Sequence, residues 1–248
     1  MTCQLIYGDC LEKMRDMPSE SIDMIFTDPP YGHNNNNGDL IHNVELALGR
    51  TTIRKEARPI MNDGVEATEL FQKVVAEASR ILKKHGACCC CCCGGGGGPD
   101  PQFARWSLIL DNAMTFKQMV VWDKGPMGMG WHYRRSYETI LIAHRGKKCR
   151  WYDDSHRIEN IIRDIPKIIP TKAQHPTQKP VDLAAHFIKL HSREGDIIFD
   201  PVMGSGSTGI AAVRLNRNFI GIEIDEHWYN VAKERITADL PLFSEVVK

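Results

Sequence analysis

Residues 198–209 read IFDPVMGSGSTG, and this stretch decides the fold. Its apolar beginning is typical of a buried strand, its glycines allow a tight turn, and residues 207–215 then favour a helix. Residues 219–223 predict the next strand and residues 226–238 the next helix. Strands that alternate with helices over such short connections indicate a parallel sheet with helices on both faces.

The same alternation extends back to the start of the chain. Apolar runs bounded by turn residues predict strands at 4–9, 22–28, 116–122 and 137–144. Helical periodicity predicts helices at 10–17, 68–84, 101–112 and 181–190, with Pro180 ahead of the last and Gly86 as the stop of the second. A glycine-rich loop separates the strands at 116–122 and 137–144, which favours an antiparallel pair. The predicted fold class is therefore α/β, a doubly wound and mostly parallel sheet with an antiparallel edge hairpin.

Six of the nine cysteines form one contiguous run, Cys88 to Cys93. The run contains Cys-x-x-Cys spacings, which would suit a metal or redox site. However, it lies between a predicted helix and a glycine-rich loop, where a parallel sheet places a strand buried on both faces. Neighbouring side chains of a strand point to opposite faces, so these thiols cannot converge on one ion. We expect a buried strand of free thiols and no metal.

Composition excludes several classes of protein. The chain has 248 residues, with 31 basic and 31 acidic side chains, so bulk charge does not hold it to nucleic acid or to a membrane. No apolar run approaches 18 residues and no signal peptide is recognisable, so we expect a cytoplasmic protein without a membrane partner. We expect a single domain over 1–248, with loop-rich insertions at 32–66 and 145–174, the first containing the run Asn34 to Asn37.

Two acids at strand ends indicate an adenosine-containing ligand. Asp200 ends the strand before the glycine loop, and Glu223 ends the next strand, where a carboxylate can accept both hydrogen bonds of a ribose diol. The loop lacks the Gly-Lys-Ser/Thr of a phosphate loop and does not complete a Gly-x-Gly-x-x-Gly fingerprint. An adenosine ligand without a pyrophosphate fits best.

The segment Asp28-Pro29-Pro30-Tyr31 follows a strand at the edge where open α/β sheets bind ligands. Asp28 and a backbone carbonyl directed by the rigid prolines can accept both protons of one amino group, and Tyr31 can stack on the ring that bears it. Two acceptors favour the pyramidal, nucleophilic form of that nitrogen. These residues predict attack by an exocyclic amine on an electrophile.

These motifs resemble those of the S-adenosylmethionine-dependent DNA amino-methyltransferases. Asp28 to Tyr31 is similar to their catalytic tetrapeptide, and Phe199 to Gly206 to their cofactor loop. The catalytic motif precedes the loop, a circularly permuted order that resembles the beta class of adenine-N6 enzymes with its Rossmann-like sheet. YGDCL at 7–11 and HPTQKP at 175–180 resemble two further cofactor segments. The resemblance implies that S-adenosylmethionine contacts Asp9, Cys10, His175, Thr177, Lys179, Asp200, Pro201, Gly204, Ser205, Gly206, Thr208 and Glu223.

Residues 131–150 form a basic window in a chain of zero net charge. The window contains six basic residues and one acidic residue, and Trp131, His132, Tyr133 and Tyr137 lie among them in the sequence. This mixture suits phosphate contact and base stacking. We therefore predict contacts to double-stranded DNA from Arg134, Arg135, Lys147 and Lys148. The target base must leave the duplex to reach Tyr31.

The leading hypothesis is methyl transfer to the N6 amino group of a flipped-out adenine, without a metal or a covalent enzyme intermediate. Cytosine-N4 methylation is permitted by the same geometry, although an aspartate in the first position resembles the adenine enzymes. Methylation of a protein glutamine amide and a non-catalytic, cofactor-sensing DNA-binding module are the more distant alternatives. A homodimer is expected from the resemblance alone.

Overall fold

The computed structural model describes residues 1–32, 61, 63–64, 66–92, 102–125, 136–168, 178–240 and 245–247. Its helices are α1 (Cys10–Asp16), α2 (Ala67–Ile81), α3 (Gln102–Ala113), α4 (Val181–His191), α5 (Ser207–Arg214) and α6 (Glu226–Asp239). Its strands are β1 (Thr2–Tyr7), β2 (Ile22–Thr27), β3 (Leu82–Cys92), β4 (Thr115–Asp123), β5 (Tyr137–His144), β6 (Ile161–Ile162), β7 (Ile197–Asp200), β8 (Asn218–Glu223) and β9 (Glu245–Val247).

The described strands form one sheet in the order β6-β4-β5-β3-β2-β7-β8-β1-β9. The pairs from β3 through β2, β7, β8 and β1 to β9 are all parallel, whereas β5 is antiparallel to both β3 and β4. The predicted α/β class, with its mostly parallel sheet and antiparallel hairpin, is confirmed.

The order of the strands explains how distant parts of the sequence meet. β2 pairs with β7, with Ile25 opposite Phe199, although the two strands are far apart in the chain. β7 then pairs with β8, and β8 with β1, so that four parallel strands end at one edge of the sheet. Asp28, Asp200, Glu223 and Asp9 end or follow these four strands. We call this side of the sheet the catalytic edge.

The cysteine run forms the buried part of β3, as predicted. Cys88 to Cys91 are all at most 1% exposed, and the side chains alternate between the two hydrophobic cores on either side of the sheet. Cys89 and Cys91 pack in one core, and Cys88 and Cys90 in the other. Among the described residues no group of three His, Cys, Asp or Glu side chains is arranged to hold a metal ion. Cys93 lies outside the described residues.

The prediction that Gly86 stops a helix at 68–84 is wrong. α2 ends at Ile81, and Leu82 begins β3 at once, so Gly86 lies inside the strand. A Cβ atom on Gly86 would lie 2.7 Å from the carbonyl oxygen of Asp23 on β2. The glycine is needed because two backbones come close at this point, and not because a helix ends there. The other helix ends agree with the predictions to within one residue.

Within the described ranges, no helix combines the length and the apolar character that crossing a membrane requires.

Candidate active site

One pocket at the catalytic edge collects most of the residues that the sequence singled out. Its lining includes the predicted residues Asp9, Cys10, Asp28, Pro29, Pro30, Tyr31, Lys179, Asp200, Pro201, Gly204, Ser205, Thr208 and Glu223. His175 and Thr177, which the sequence also predicted at the cofactor, lie outside the described residues. Gly206 is described but packs against α6 instead, where a Cβ atom would lie 3.0 Å from Cβ of Ala232.

Asp200 holds the glycine loop from beneath. Its Oδ2 accepts a hydrogen bond from Oγ1 of Thr208 at 2.7 Å, and its Oδ1 accepts one from the backbone N–H of Val202 at 3.2 Å. The side chain is buried, and burial raises the pKa of Asp200 to about 7, although the hydrogen bonds from Thr208 and Val202 oppose the rise. Asp200 therefore changes charge near neutral pH while it stays bonded to both ends of the loop.

Glu223 holds the opposite side of the same loop. Its Oε2 accepts from the backbone N–H of Gly204 at 2.8 Å, and its Oε1 accepts from the backbone N–H of Asp225 at 2.9 Å. Burial raises the pKa of this carboxyl, against the effect of those hydrogen bonds. Trp228, on the first turn of α6, adds an aromatic wall to this end of the pocket.

Asp9 joins the pocket to the start of α1. Its Oδ1 caps the helix by accepting from the backbone N–H groups of Leu11 at 2.8 Å and Glu12 at 3.1 Å. Cys10 is buried beside it, and burial raises the pKa of its thiol to about 12, so the thiol stays protonated. Asp9, Glu223 and Asp225 together give this end of the pocket three carboxylates. Among the described residues that line the pocket, the only cation is Lys179, which contacts Asp28.

At the other end of the pocket, both oxygens of Asp28 already have partners. The hydroxyl of Tyr31 donates to Oδ1, and Nζ of Lys179 donates to Oδ2 at 2.6 Å. Burial raises the pKa of Asp28, and the Lys179 ammonium counteracts that rise. The sequence predicted Lys179 at the cofactor; it lines the pocket, and its ammonium contacts the carboxylate of Asp28.

Tyr31 is fixed by contacts behind it. Its ring lies 6.1 Å from the ring of Trp106, which in turn stacks on Phe71 at 3.9 Å between centroids. Nε2 of Gln102 donates to the backbone oxygen of Tyr31 at 3.1 Å. Next in the chain, the N–H of Gly32 donates to Oδ1 of Asp63 at 2.7 Å. This shell orients the aromatic face that the pocket offers to a planar ligand.

Asp63 and Glu138 are site residues that the sequence analysis missed. Asp63 is 2% exposed and lines the pocket, and Glu138 lies 3.4 Å from Nζ of Lys179. Glu138 had been counted only as the one acid in a basic window. The available signal was its position as the second residue of β5, a strand that starts at the catalytic edge. Asp63 carries no local signal, since it acts through a backbone contact 31 residues away.

The described part of the predicted basic window, residues 136–150, runs from the catalytic edge to the opposite edge of the sheet. β5 starts at Tyr137 on the catalytic edge and runs antiparallel for eight residues to His144, which lies level with Ala87 and Met24. At roughly 3.3 Å per residue, the seven steps from Tyr137 to His144 cover about 23 Å. Lys147 and Lys148 follow His144, so they lie at the opposite edge of the sheet from Asp28, and their predicted contact with DNA stays a prediction.

Two other cations of the window hold that opposite edge together. Arg145 donates to the backbone oxygen of Leu82 at 2.7 Å and pairs with Glu20, and Arg150 pairs with the buried Asp23 at 2.7 Å. Arg134 and Arg135 lie outside the described residues, ahead of β5 in the chain. β5 runs antiparallel to β3, so the residues after its end lie at the opposite edge of the sheet from its start. A count of charges along the sequence cannot detect this separation.

A family model described as DNA methylase, N6_N4_Mtase, matches residues 22–234. The type II methyltransferase M2.DpnII of Streptococcus pneumoniae is 28% identical over 255 residues, covering 95% of this chain and 90% of that protein. The structure of TTHA0409, a protein of Thermus thermophilus, in complex with S-adenosyl-L-methionine has a TM-score of 0.69 at 22% identity and covers 99% of each chain. PvuII DNA methyltransferase, which is cytosine-N4-specific, has a TM-score of 0.72 at 17% identity, covering 96% of this chain and 91% of its own. These two structures share the fold, and a shared fold does not identify the target base.

Proposed function

This chain belongs to the DNA methylase family N6_N4_Mtase, and on that premise we propose that it transfers a methyl group from S-adenosylmethionine to the N6 amino group of adenine in DNA. The observation that carries the proposal is that one pocket joins the loop held by Glu223 and Asp200 to the tetrapeptide at Asp28. A cofactor and a reacting base can therefore meet inside one pocket.

The residues at the Glu223 end suit an adenosine cofactor. Glu223 and Asp9 supply carboxylate acceptors for hydroxyl and amino donors, and Trp228 supplies an aromatic face. The glycine loop runs past the middle of the pocket, with Gly204 at a positive φ of 51° that a larger side chain would strain. We propose that these residues and Ser205 and Thr208 hold S-adenosylmethionine, with His175 and Thr177 expected beside them from the sequence. When bound, this cofactor supplies a methyl group on a positively charged sulfur.

The tetrapeptide prepares the amino group that receives the methyl. Asp28 accepts one of its hydrogen bonds, and the backbone carbonyl of Pro29 accepts the other, which favours a pyramidal nitrogen. The nitrogen gains positive charge as it reacts, and the Asp28 carboxylate stabilises that charge. Tyr31, backed by Trp106, stacks on the base that has left the duplex. The tetrapeptide begins with an aspartate, as in the adenine-N6 enzymes that it resembles, and this supports adenine over cytosine as the target base.

DNA must approach the catalytic edge, and this limits which segments can recognise the target sequence. The insertion at 32–66 begins and ends there, since Gly32 bonds to Asp63. The insertion at 145–174 begins at the opposite edge and returns at Ile162, whose strand β6 pairs with Trp122 of β4. We propose that the first insertion, the part of the second after Ile161, and Arg134 and Arg135 contact the DNA.

Expression in a methylation-deficient host, followed by mass spectrometry of the digested host DNA, tests the proposal. We expect N6-methyladenine from the wild-type protein and none from Asp28→Ala, which should still bind S-adenosylmethionine in calorimetry. N4-methylcytosine would assign the cytosine reaction instead. Absence of any methylated base from a wild-type protein that binds the cofactor would contradict catalysis and favour a cofactor-sensing DNA-binding module.

The proposal extends to the location of the protein and to its oligomeric state. We propose a cytoplasmic protein, because its substrate is cellular DNA, and a homodimer, which the family resemblance implies. Fractionation of the cells and sedimentation of the purified protein, with and without DNA, test these two statements separately.

A further inference from the structure

A chain of alternating charges runs from the reacting carboxylate into the sheet. Nζ of Lys179 lies 2.6 Å from Oδ2 of Asp28 and 3.4 Å from Oε2 of Glu138. Nζ of Lys124 lies 2.9 Å from Oε1 of the same glutamate. The four side chains are between 10% and 24% exposed, so water screens them weakly. Of these four side chains, only Asp28 takes part in the proposed methyl transfer.

Each oxygen of Asp28 already accepts one hydrogen bond, Oδ1 from Tyr31 and Oδ2 from Lys179. A carboxylate oxygen can accept a second hydrogen bond, but an amino group that arrives while Lys179 stays in place meets a carboxylate whose charge the ammonium already balances. Movement of one partner would leave the carboxylate to the amino group. The Tyr31 ring is held from behind by Trp106 and through its backbone by Gln102, whereas Lys179 ends in a flexible four-carbon stem.

Glu138 offers the Lys179 ammonium a second position. Its Oε2 is buried and has no hydrogen-bond partner within the described part of the chain, yet it faces Nζ of Lys179 across 3.4 Å. Lys124 on β4 already holds the other oxygen of Glu138 in place. A buried acceptor without a partner is costly, so a small movement of the ammonium toward Oε2 would form a hydrogen bond as it breaks the one to Asp28.

We infer that Lys179 is a positioning residue with two positions: it contacts Asp28 in the empty site and moves onto Glu138 when the target amino group reaches Asp28. The main chain stays fixed during this movement, because the backbone oxygen of Lys179 accepts from Oγ of Ser207 at 2.9 Å. The ammonium also lies 5.3 Å from the ring centre of Tyr31, so it remains next to the stacked base in either position.

The movement also restores the charge that the reaction needs. While Lys179 contacts Asp28, the ammonium neutralises the carboxylate that should stabilise the positive nitrogen. After Lys179 moves onto Glu138, its charge is balanced there and Asp28 faces the amino group as an anion. The charged groups facing this cluster are Asp28, Glu138, Lys124 and, behind Asp28, Asp200, and the Tyr31 hydroxyl and the Cys91 thiol also border it.

This inference rests on the proposed function, and single-turnover methyl transfer to unmethylated genomic DNA from a methylation-deficient host tests it. Glu138→Gln should slow the transfer by about tenfold or more, since each tenfold corresponds to about 1.4 kcal/mol of lost stabilisation, and should leave the Kd for S-adenosylmethionine unchanged. Glu159→Gln, which removes an exposed carboxylate from its pair with Arg163, is the matched control and should react at the wild-type rate.

Lys179→Arg distinguishes a moving cation from a fixed structural one. A guanidinium can bond to both carboxylates at once, so it should keep the melting temperature near that of the wild type while it leaves Asp28 covered and the transfer slow. A wild-type rate for Lys179→Arg, or for Glu138→Gln, would overturn the inference alone. A wild-type protein that binds the cofactor and methylates no DNA would overturn the proposed function and this inference together.

Discussion

The backbone N–H of Gly204 donates to Oε2 of Glu223 at 2.8 Å, so an acid predicted to bind a ribose also fixes the loop in front of it. The same side chain accepts from the N–H of Asp225 through its other oxygen. Glu223 therefore connects the cofactor loop to the start of α6. One carboxylate therefore both shapes this end of the pocket and lines it.

Glu223→Gln should weaken the binding of S-adenosylmethionine. An amide has one acceptor oxygen, so either Gly204 or Asp225 loses its acceptor, and a hydrogen bond to a charged group contributes about 1.5–3 kcal/mol. We expect the Kd from calorimetry to rise by roughly one to two orders of magnitude. Glu234→Gln on the exposed side of α6 is the control and should not change the Kd. Equal affinity in both variants would contradict a role for Glu223 in the cofactor site.

Asp200 should make the protein less stable as the pH rises toward neutrality. Burial raises its pKa to about 7, so between the unfolded pKa near 4 and that value the folded state holds one proton more than the unfolded state. The free energy of unfolding then falls by about 1.4 kcal/mol per pH unit, or about 2 kcal/mol between pH 5.5 and 7. Asp200→Asn keeps the shape and does not titrate.

Urea unfolding of the wild type and Asp200→Asn at pH 5.5 and pH 7 measures this contribution. Other shifted groups, such as Asp28 and Asp23, are present in both proteins, so the difference between the two proteins reports on Asp200. The wild type should lose about 2 kcal/mol more than the variant across this range. Parallel pH dependence in the two proteins would show that Asp200 is not the group that titrates.

Replacing Gly206 by alanine, with Gly195→Ala as the control, tests how closely the glycine loop packs against α6. Both have left-handed backbones, with φ of 81° and 82°, so alanine costs each about 1–2 kcal/mol of strain. A Cβ atom on Gly206 would lie 3.0 Å from Cβ of Ala232 and from Cδ1 of Ile236, whereas one on Gly195 would meet nothing within 4 Å. Gly206→Ala should therefore lower the free energy of unfolding by about 1–3 kcal/mol more than Gly195→Ala. It should also raise the Kd for S-adenosylmethionine, which Gly195→Ala should not.

Local patterns in the sequence were sufficient for most of the elements, although not for the short strands β6 and β9, and for most of the pocket. The glycines after Asp200, the acid at the end of β8 and the rigid pair before Tyr31 each reflect a short-range requirement of backbone or chemistry. Parallel strands then bring their carboxyl ends to one edge, so Asp9, Asp28, Asp200 and Glu223 meet there. The pairing of β2 with β7 joins segments far apart in the chain and was not predicted from the sequence.

Features that depend on contacts between distant segments could not be predicted. Gly86 looked like a helix stop because its actual neighbour, the carbonyl of Asp23, belongs to another strand. The HPTQKP segment suggested a cofactor contact for Lys179, but the ammonium reaches Asp28, 151 residues away. Lys147 and Lys148 are close to Arg134 and Arg135 in sequence, yet an intervening strand carries them to the opposite edge.

The cysteine strand should be chemically inert in the folded protein. Cys88 to Cys91 are at most 1% exposed, so reagents in solution do not reach them, and burial raises the pKa of Cys89 and contributes to the raised pKa of Cys90, which disfavours their thiolates. Cys149 is half-buried, although burial also raises its pKa, to about 11. Maleimide labelling followed by tandem mass spectrometry should find Cys149 modified before any of Cys88 to Cys91. Equal labelling of all five without denaturant would contradict a buried strand.

Replacing Lys147 and Lys148 by alanine together should leave DNA binding unchanged, because the length of β5 separates them from the catalytic edge. Each phosphate contact contributes about 0.9 to the slope of log affinity against log salt concentration, so two lost contacts would lower that slope by about 1.8. Fluorescence anisotropy of a labelled duplex over a series of salt concentrations measures the slope. Arg134→Ala with Arg135→Ala is the comparison: these two residues come shortly before β5 in the sequence and are proposed to contact the DNA, so their replacement is expected to lower both affinity and slope. A lower slope in the lysine variant would instead show that DNA extends around the molecule to the edge held by Arg145 and Arg150.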